Sequence, residues 1–444
     1  MRHPRLWEAL PLLACLLLAS TAALADDWES YQHDPAHTGY TSASPSPTAM
    51  TLEWSAPTGY ATPIIEGDSV IATLSGYDNS TDSTTVSSFQ LDTGAVNWSY
   101  TIPTAAGGSP ASQAAYGNGL VAVSTGINGT DQGDLVVLDA ATGYLKYTVN
   151  LGFEANLPVL VPGSNGTTTA YVANGSTLDA VSLGANSGSI LWSASGEFGG
   201  ASIPTVVGNN TVVLASPGQY YAINASTGAI NNFHSANIFG GGGDTVVFDA
   251  AHNELYVKDQ YNQNTFALTA YSFGGNYNSI TQLWQDTGSG IGNEGQVALD
   301  ANGNVYTNDY SKLVEIDHNT GAILRSITGP EFTFNGSAPP LIAGNTLWSL
   351  GTQTDAYDLS TLDMIGSFPG DQGNQFSPEP GAGAVDDSHF IVALSGIDGP
   401  GLDVYAVPEP TMLGWIMLPL LLCAVRPNRR ITAALASTNH FPPR

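Results

Sequence analysis

Leu138-Asp139-Ala140-Ala141-Thr142-Gly143-Tyr144-Leu145-Lys146-Tyr147 decides the fold: an apolar strand, an Asp-x-x-Thr-Gly turn, and a strand closed by a large residue. The pattern returns as Ile316-Asp317-His318-Asn319-Thr320-Gly321-Ala322-Ile323-Leu324 and, with Asp directly before Thr-Gly, as Leu91-Asp92-Thr93-Gly94-Ala95-Val96-Asn97-Trp98. Anchored at residues 94, 143, 188, 228, 280, 321 and 362, the copies follow at steps of roughly 40–50 residues. The fifth and seventh lack the Thr-Gly pair. Before each lies a second element, such as Pro63-Ile64-Ile65-Glu66-Gly67-Asp68-Ser69-Val70-Ile71 or Pro204-Thr205-Val206-Val207-Gly208-Asn209-Asn210-Thr211-Val212. It reads as two short strands joined by a hairpin turn, because glycine admits the positive φ that the turn needs. In the Asp-x-x-Thr-Gly element, the Asp carboxylate accepts local backbone N–H groups.

Two hairpins per copy make four antiparallel strands, the unit of a propeller blade. The eighth copy has only three strands, near Pro378–Val385, His389–Leu394 and Leu402–Tyr405. Leu52-Glu53-Trp54 near the start resembles Ile190-Leu191-Trp192 and Gln282-Leu283-Trp284, which close their blades. Residues ~51–58 are therefore expected to complete the eighth blade, removing two exposed sheet edges and offsetting part of the cost of closing a large ring. The expected fold is an all-β, eight-bladed propeller of four-stranded antiparallel blades over 51–406.

Composition agrees. Gly (50) and Pro (26) are abundant, and charged residues make up only 11%. Of 10 basic residues, only Lys146, Lys258, Lys312 and Arg325 lie between 26 and 406, whereas all 38 acidic residues except Glu8 and Glu409 do. Such a surface repels nucleic acid and anionic lipid. Cys15 and Cys423 both lie in terminal apolar segments, so the repeats hold no disulfide, thiolate zinc site or cysteine nucleophile.

The ends read as addresses. Residues 1–25 carry Arg2 and Arg5, an apolar run from Leu10 to Leu18, and Ala23-Leu24-Ala25, which places small residues at −3 and −1 for cleavage before Asp26. Residues 26–50 form a lead-in. At the other end, Pro408-Glu409-Pro410 precedes an apolar stretch Thr411–Val425, about 15 residues against the ~20 of a comfortable span. Arg426, Arg429 and Arg430 follow and would stay cytoplasmic. This order resembles the PEP-CTERM sorting signal of exported bacterial proteins over 407–430. The resemblance implies an exosortase-type processing protease as a partner. The tail 431–444 departs from the usual ending, and an ordinary C-terminal membrane anchor stays open. Either reading implies export to the envelope or beyond, with at least transient anchoring.

The repeat itself resembles the pyrroloquinoline quinone (PQQ)-like propeller repeat, where Asp-x-x-Thr-Gly…Trp is the signature and the Trp packs on a neighbouring blade. Trp54, Trp98, Trp192 and Trp284 fit that docking role. The lead-in Trp28-Glu29-Ser30-Tyr31-Gln32-His33-Asp34-Pro35-Ala36-His37-Thr38-Gly39-Tyr40 is similar to that of exported proteins of this class. Fold does not carry cofactor. The quinone enzymes of this resemblance use a cysteine pair or equivalent cap, a Ca²⁺ site and a cation on the quinone, and no such constellation is visible. Lys146 and Arg325 are expected to face solvent. His33 and His37 have a metal-ligand spacing, but Pro35 between them argues for a turn. Gly240–Asp244 reads as an inter-blade loop. Asp131-Gln132-Gly133-Asp134 and Asp386-Asp387 are hairpin tips with weak Ca²⁺ potential. Tyr220-Tyr221 and Tyr310 are candidates for a glycan-binding surface. The reading is a non-enzymatic binding or scaffold module for an envelope protein or polysaccharide, with no PQQ. The alternatives are a divergent PQQ-dependent oxidoreductase and a structural matrix component.

Overall fold

The structure is a computed structural model. It describes residues 27–407 except 57–62, 76–83, 103–112, 128–131, 154–155, 175, 197, 199–202, 209, 217–218, 236–245, 263–264, 275–278, 288–296, 309–311, 329–338, 351–352, 370–382 and 394–400. The expected signal peptide, 1–25, and all of the expected sorting signal, 407–430, except Val407 lie outside these residues. Among the described residues no helix is long and apolar enough to cross a membrane.

Eight antiparallel sheets of four strands follow one another along the chain. Blades 1 to 7 span 64–102, 115–150, 159–195, 205–235, 247–286, 298–328 and 341–369. Blade 8 takes three strands from 383–406 and its fourth from Thr51–Ala56, which pairs antiparallel with Leu402–Ala406 in the register Trp54↔Val404. The expected closure by the N-terminal strand is therefore observed. Within blades 1 to 7 the chain runs from the innermost to the outermost strand. The turns joining first to second and third to fourth strands share one end of the ring, here called the turn face. Most loops at the other end lie outside the described residues.

The Asp-x-x-Thr-Gly turn folds as its residues dictate. Asp139 Oδ1 accepts the Thr142 N–H (3.1 Å) and hydroxyl (2.8 Å), and Gly143 N–H returns to Asp139 O (2.8 Å) at φ 69°. Asp317, Asp358 and Asn224 repeat the arrangement. In the first copy Gln90, not Asp92, holds the Thr93 hydroxyl. These donors pull the Asp139, Asp317 and Asp358 carboxyls below their usual range, the Thr or Ser hydroxyl being the largest cause.

A register shift follows each turn, for example between Ser88 and Phe89 opposite Trp98 and Val96. The extra residue re-aims the next side chain toward the neighbouring blade. Trp54, Trp98, Trp192 and Trp284 each donate Nε1–H to a turn carbonyl of the next blade: Leu91 (2.6 Å), Ala140 (2.8 Å), Ala225 (2.9 Å) and His318 (2.6 Å). Their rings cover Gly94, Gly143, Gly228 and Gly321, where a Cβ would collide with the indole. Glycine is required there both by positive φ and by this approach.

The remaining blades vary the contact. Tyr147 takes the Trp position in blade 2 and donates its hydroxyl to Gly184 O at 2.7 Å. Arg325 takes it in blade 6, its guanidinium donating to Leu359 O (2.7 Å), Ser360 O (2.6 Å) and the buried Glu315. Gly366 takes it in blade 7, and the following blade has no such turn, because its third and fourth strands come from opposite ends of the chain. Arg325 thus corrects the solvent-facing expectation: the planar guanidinium replaces the indole as a donor to turn carbonyls. Lys146 is likewise three-quarters buried and pairs with Asp139 at 3.4 Å.

Candidate functional site

The inner strand of each blade presents unpaired backbone groups to the ring axis, and these must be satisfied. The lead-in does this. Carbonyls of Trp28, Glu29, Pro35, Ala36, Thr38 and Gly39 accept from the N–H groups of Ile65, Tyr116, Val206, Phe248, Leu299 and Ile342, at 2.8–3.0 Å. These six residues lie on the inner strands of blades 1, 2, 4, 5, 6 and 7. Tyr40–Thr41 adds a parallel strand to blade 7, and Ser44 N–H reaches Asp387 of blade 8. Trp28, Tyr31, Gln32 and His37 are buried. The lead-in is therefore a strap woven around the inner wall.

His33 and His37 belong to this strap. Both have positive φ, in line with the turn reading. His37 spends Nδ1 on Tyr31 O (3.0 Å) and Nε2 on Pro204 O (3.1 Å), so both nitrogens are used on carbonyls. Burial lowers its pKa, against the two carbonyls, which raise it. His33 packs edge-on against Trp28.

A cavity of ≈ 450 Å³ opens where the turns of blades 1, 2 and 3 meet. Glu66, Tyr116, Asn118, Asp139 and Lys146 supply its polar groups, with Gly119, Gly166 and Ala185 at the rim. Burial pushes the Glu66 carboxyl up to about 7; a hydrogen bond from Tyr116 opposes this, and Asp27 and Glu29 add repulsion. The same burial, reinforced by Glu66, raises the Tyr116 phenol. Gly119 N–H donates to the Tyr116 oxygen at 3.1 Å, and Asn118 bridges to Thr167 O (3.1 Å) and Thr168 Oγ1 (3.2 Å) of blade 3. Lys146 is neutralised by Asp139. The cavity is thus electrically mild, with donors and acceptors interleaved, a lining suited to a hydroxyl-rich ligand rather than a strong ion. Sequence reasoning missed it, because its groups come from three blades and look like ordinary turn residues. The signal in retrospect was Lys146, one of only four cations in the repeats.

Between blades 5 and 6, the rings of His252 and His318 meet at a tilt of 38°, with centroids 4.0 Å apart. His252 Nδ1 meets Asp249 Oδ2 at 2.6 Å, His318 Nδ1 meets Glu254 Oε2 at 3.2 Å, and Tyr256 donates to Glu254 at 2.6 Å. Among the described residues no group of three or more His, Cys, Asp or Glu side chains is arranged to hold a metal ion. Asp386 caps a turn through the Ser388 and His389 N–H groups. Tyr220 and Tyr221 are buried against Tyr271 and Phe198, which removes them from the candidate glycan surface. Asp131, Gly240–Asp244 and Tyr310 lie outside the described residues.

An anionic quinone needs cationic and hydrogen-bonding partners gathered in one place. Lys146 is committed to Asp139, Arg325 to Glu315 and two carbonyls, and buried Lys258 to Thr307 Oγ1 (3.1 Å). The four cations of the repeats lie on blades 2, 5 and 6, and among the described residues they do not gather into a site that fits the group.

A family model described as outer membrane protein assembly factor BamB, a PQQ-type repeat, matches residues 159–231, which is blade 3 and most of blade 4. Comparison with curated proteins returns no match. Similar solved structures include BamB from Moraxella catarrhalis (14% identity, TM-score 0.56, covering 81% of this chain and 100% of that one). The quinohemoprotein alcohol dehydrogenase from Comamonas testosteroni is 14% identical, with TM-score 0.58 and coverage of 89% and 82%. A europium-containing methanol dehydrogenase is 13% identical, with TM-score 0.56 and coverage of 86% and 97%. Together they support a PQQ-like β-propeller. At these identities the structural likeness speaks for the fold alone.

Proposed function

We propose that this chain is an exported envelope propeller that binds without catalysing. It acts as a scaffold for a protein or polysaccharide partner and is sorted by its PEP-CTERM-type C-terminus. The observation that carries the reading is the interleaved, charge-compensated cavity at the junction of blades 1 to 3. It can hydrogen-bond hydroxyls through Glu66, Asn118 and the Asp139–Lys146 pair. Likeness to an assembly factor adds weight to the scaffold role. Calorimetric titration of the purified chain with envelope polysaccharide should give saturable binding that Lys146→Ala and Glu66→Gln weaken. The oxidoreductase alternative is tested by adding PQQ and Ca²⁺ with an alcohol and a redox dye. Dye reduction above the protein-free control would overturn the non-enzymatic reading. Sorting is tested by fractionating cells after removal of residues 407–444; unchanged envelope retention would refute it.

A further inference from the structure

All the large hydrophobic side chains exposed among the described residues lie on the outermost strands or, for Tyr144, in the turn just before one. Every one of the eight blades contributes at least one. The position is fixed by the repeat. Val96, Ile190 and Ile323 stand two residues before Trp98, Trp192 and Arg325, and blades 2, 4, 7 and 8 obey the same rule. Blade 5 uses Leu283, one residue before Trp284. Each lies in the first half of its outermost strand or just before it, in blades 1 to 7 after the third-to-fourth turn and in blade 8 at the start of Thr51–Ala56, so the eight sites form a belt around the rim of the turn face. Exposure is substantial, 59% for Val96 and 57% for Leu191. Scattered single apolar residues need no explanation, but the recurrence of one among the described residues of every blade at the same end of the outermost strand does.

A belt of apolar points recurring from blade to blade fits a planar, laterally uniform partner. The chain's exit says which. Val407 N–H donates to Ser388 O at 2.6 Å, and Ser388 lies in a blade 8 turn, so the polypeptide leaves from the turn face. The sequence then reaches the apolar stretch Thr411–Val425 after only a few residues. We infer that the turn face lies against a lipid bilayer, with the rim belt resting in the interface of the membrane that takes up that stretch. This rests on the anchoring part of the proposed function. The carboxylates of Asp92, Asp317 and Asp358 on the same face select zwitterionic over anionic lipid.

The test uses the full chain in phosphatidylcholine vesicles, with Cys15 and Cys423 replaced by Ser. An environment-sensitive fluorophore is placed by Leu191→Cys in the belt or by Thr328→Cys at the opposite end of an outer strand, an exposed site. Nitroxide-bearing lipid should cause loss of emission at 191 and leave 328 unchanged, and added phosphatidylglycerol should reduce the loss. If the chain floats with vesicles but both labels respond alike, the belt contact is refuted and anchoring stands. If it does not float at all, both are refuted. Energy transfer between belt labels without lipid would show that the belt closes on a second copy instead, which also overturns the inference.

Discussion

Substituting Gly321 by Ala tests the blade-docking contact most directly. Its φ is +70°, and an added Cβ would lie 2.6 Å from both Cδ2 and Cε3 of Trp284. Two costs follow. Alanine in the left-handed region costs about 1–2 kcal/mol. Displacing a packed indole that is only 8% exposed costs a further ~1–3 kcal/mol. The expected loss is about 2–5 kcal/mol. Gly119 is the control: its φ is +75°, but nothing lies within 4 Å of an added Cβ, so Gly119→Ala should cost only the backbone share. Trp284→Ala alone removes the ring and its bond to His318 O, for about 3–5 kcal/mol. In that background Gly321→Ala should fall to about 1–2 kcal/mol, a coupling of ~1–3 kcal/mol. Urea unfolding of the four variants by far-ultraviolet circular dichroism measures each value. Equal costs at Gly321 and Gly119, or a Gly321→Ala cost unchanged by Trp284→Ala, would refute the steric account.

Arg325→Ala strips the cation from buried Glu315 and two donors from the blade 7 turn; it should destabilise by about 2–4 kcal/mol, with Glu315→Gln recovering part in the double variant by the same unfolding assay. His389 lies at the ring seam, 3.3 Å from Asp92 of blade 1 and 3.6 Å from Glu53 of the closing strand. Its burial, which lowers the pKa, is outweighed by Asp386, Glu53 and Asp92, which raise it. The stabilisation is complete below the unfolded histidine value and is lost as pH rises through the higher folded one. The melting advantage of wild type over His389→Asn should therefore shrink as pH rises above about 6.5. Glu66, pushed up to about 7, favours the protonated fold. Stability should decline as pH rises from about 4.5 to 7, and Glu66→Gln should remove that slope in the melting profile.

Much of the ring was legible because the repeat writes its architecture in side chains. A glycine that must bend backwards, a carboxylate that caps, and a Trp that covers that glycine are visible as letters. The closing strand was legible for the same reason, since Leu52-Glu53-Trp54 carries the fourth-strand signature. Arg325 was misread because its role depends on what it faces, namely two carbonyls of blade 7, and not on its own type. The strap was read only as a lead-in. Its six contacts to the inner strands are made by backbone carbonyls, which any residue provides. The cavity was hidden because Glu66, Asn118 and Lys146 stand far apart in sequence and meet only when blades stack.

The pairing of Thr51–Ala56 with Leu402–Ala406 also sets an order of events. A strand made early must wait, unpartnered, for nearly the last part of the propeller to arrive. Seven blades can stack as the chain is delivered, each on its neighbour, yet the circle stays open with two bare flanks. A chain cut short after 369 would hold the closing strand and no third strand to receive it. Such an open form exposes a strand edge and apolar blade faces, and it is a target for aggregation or proteolysis. The seam thus works as a completeness check on the polypeptide, made by geometry alone.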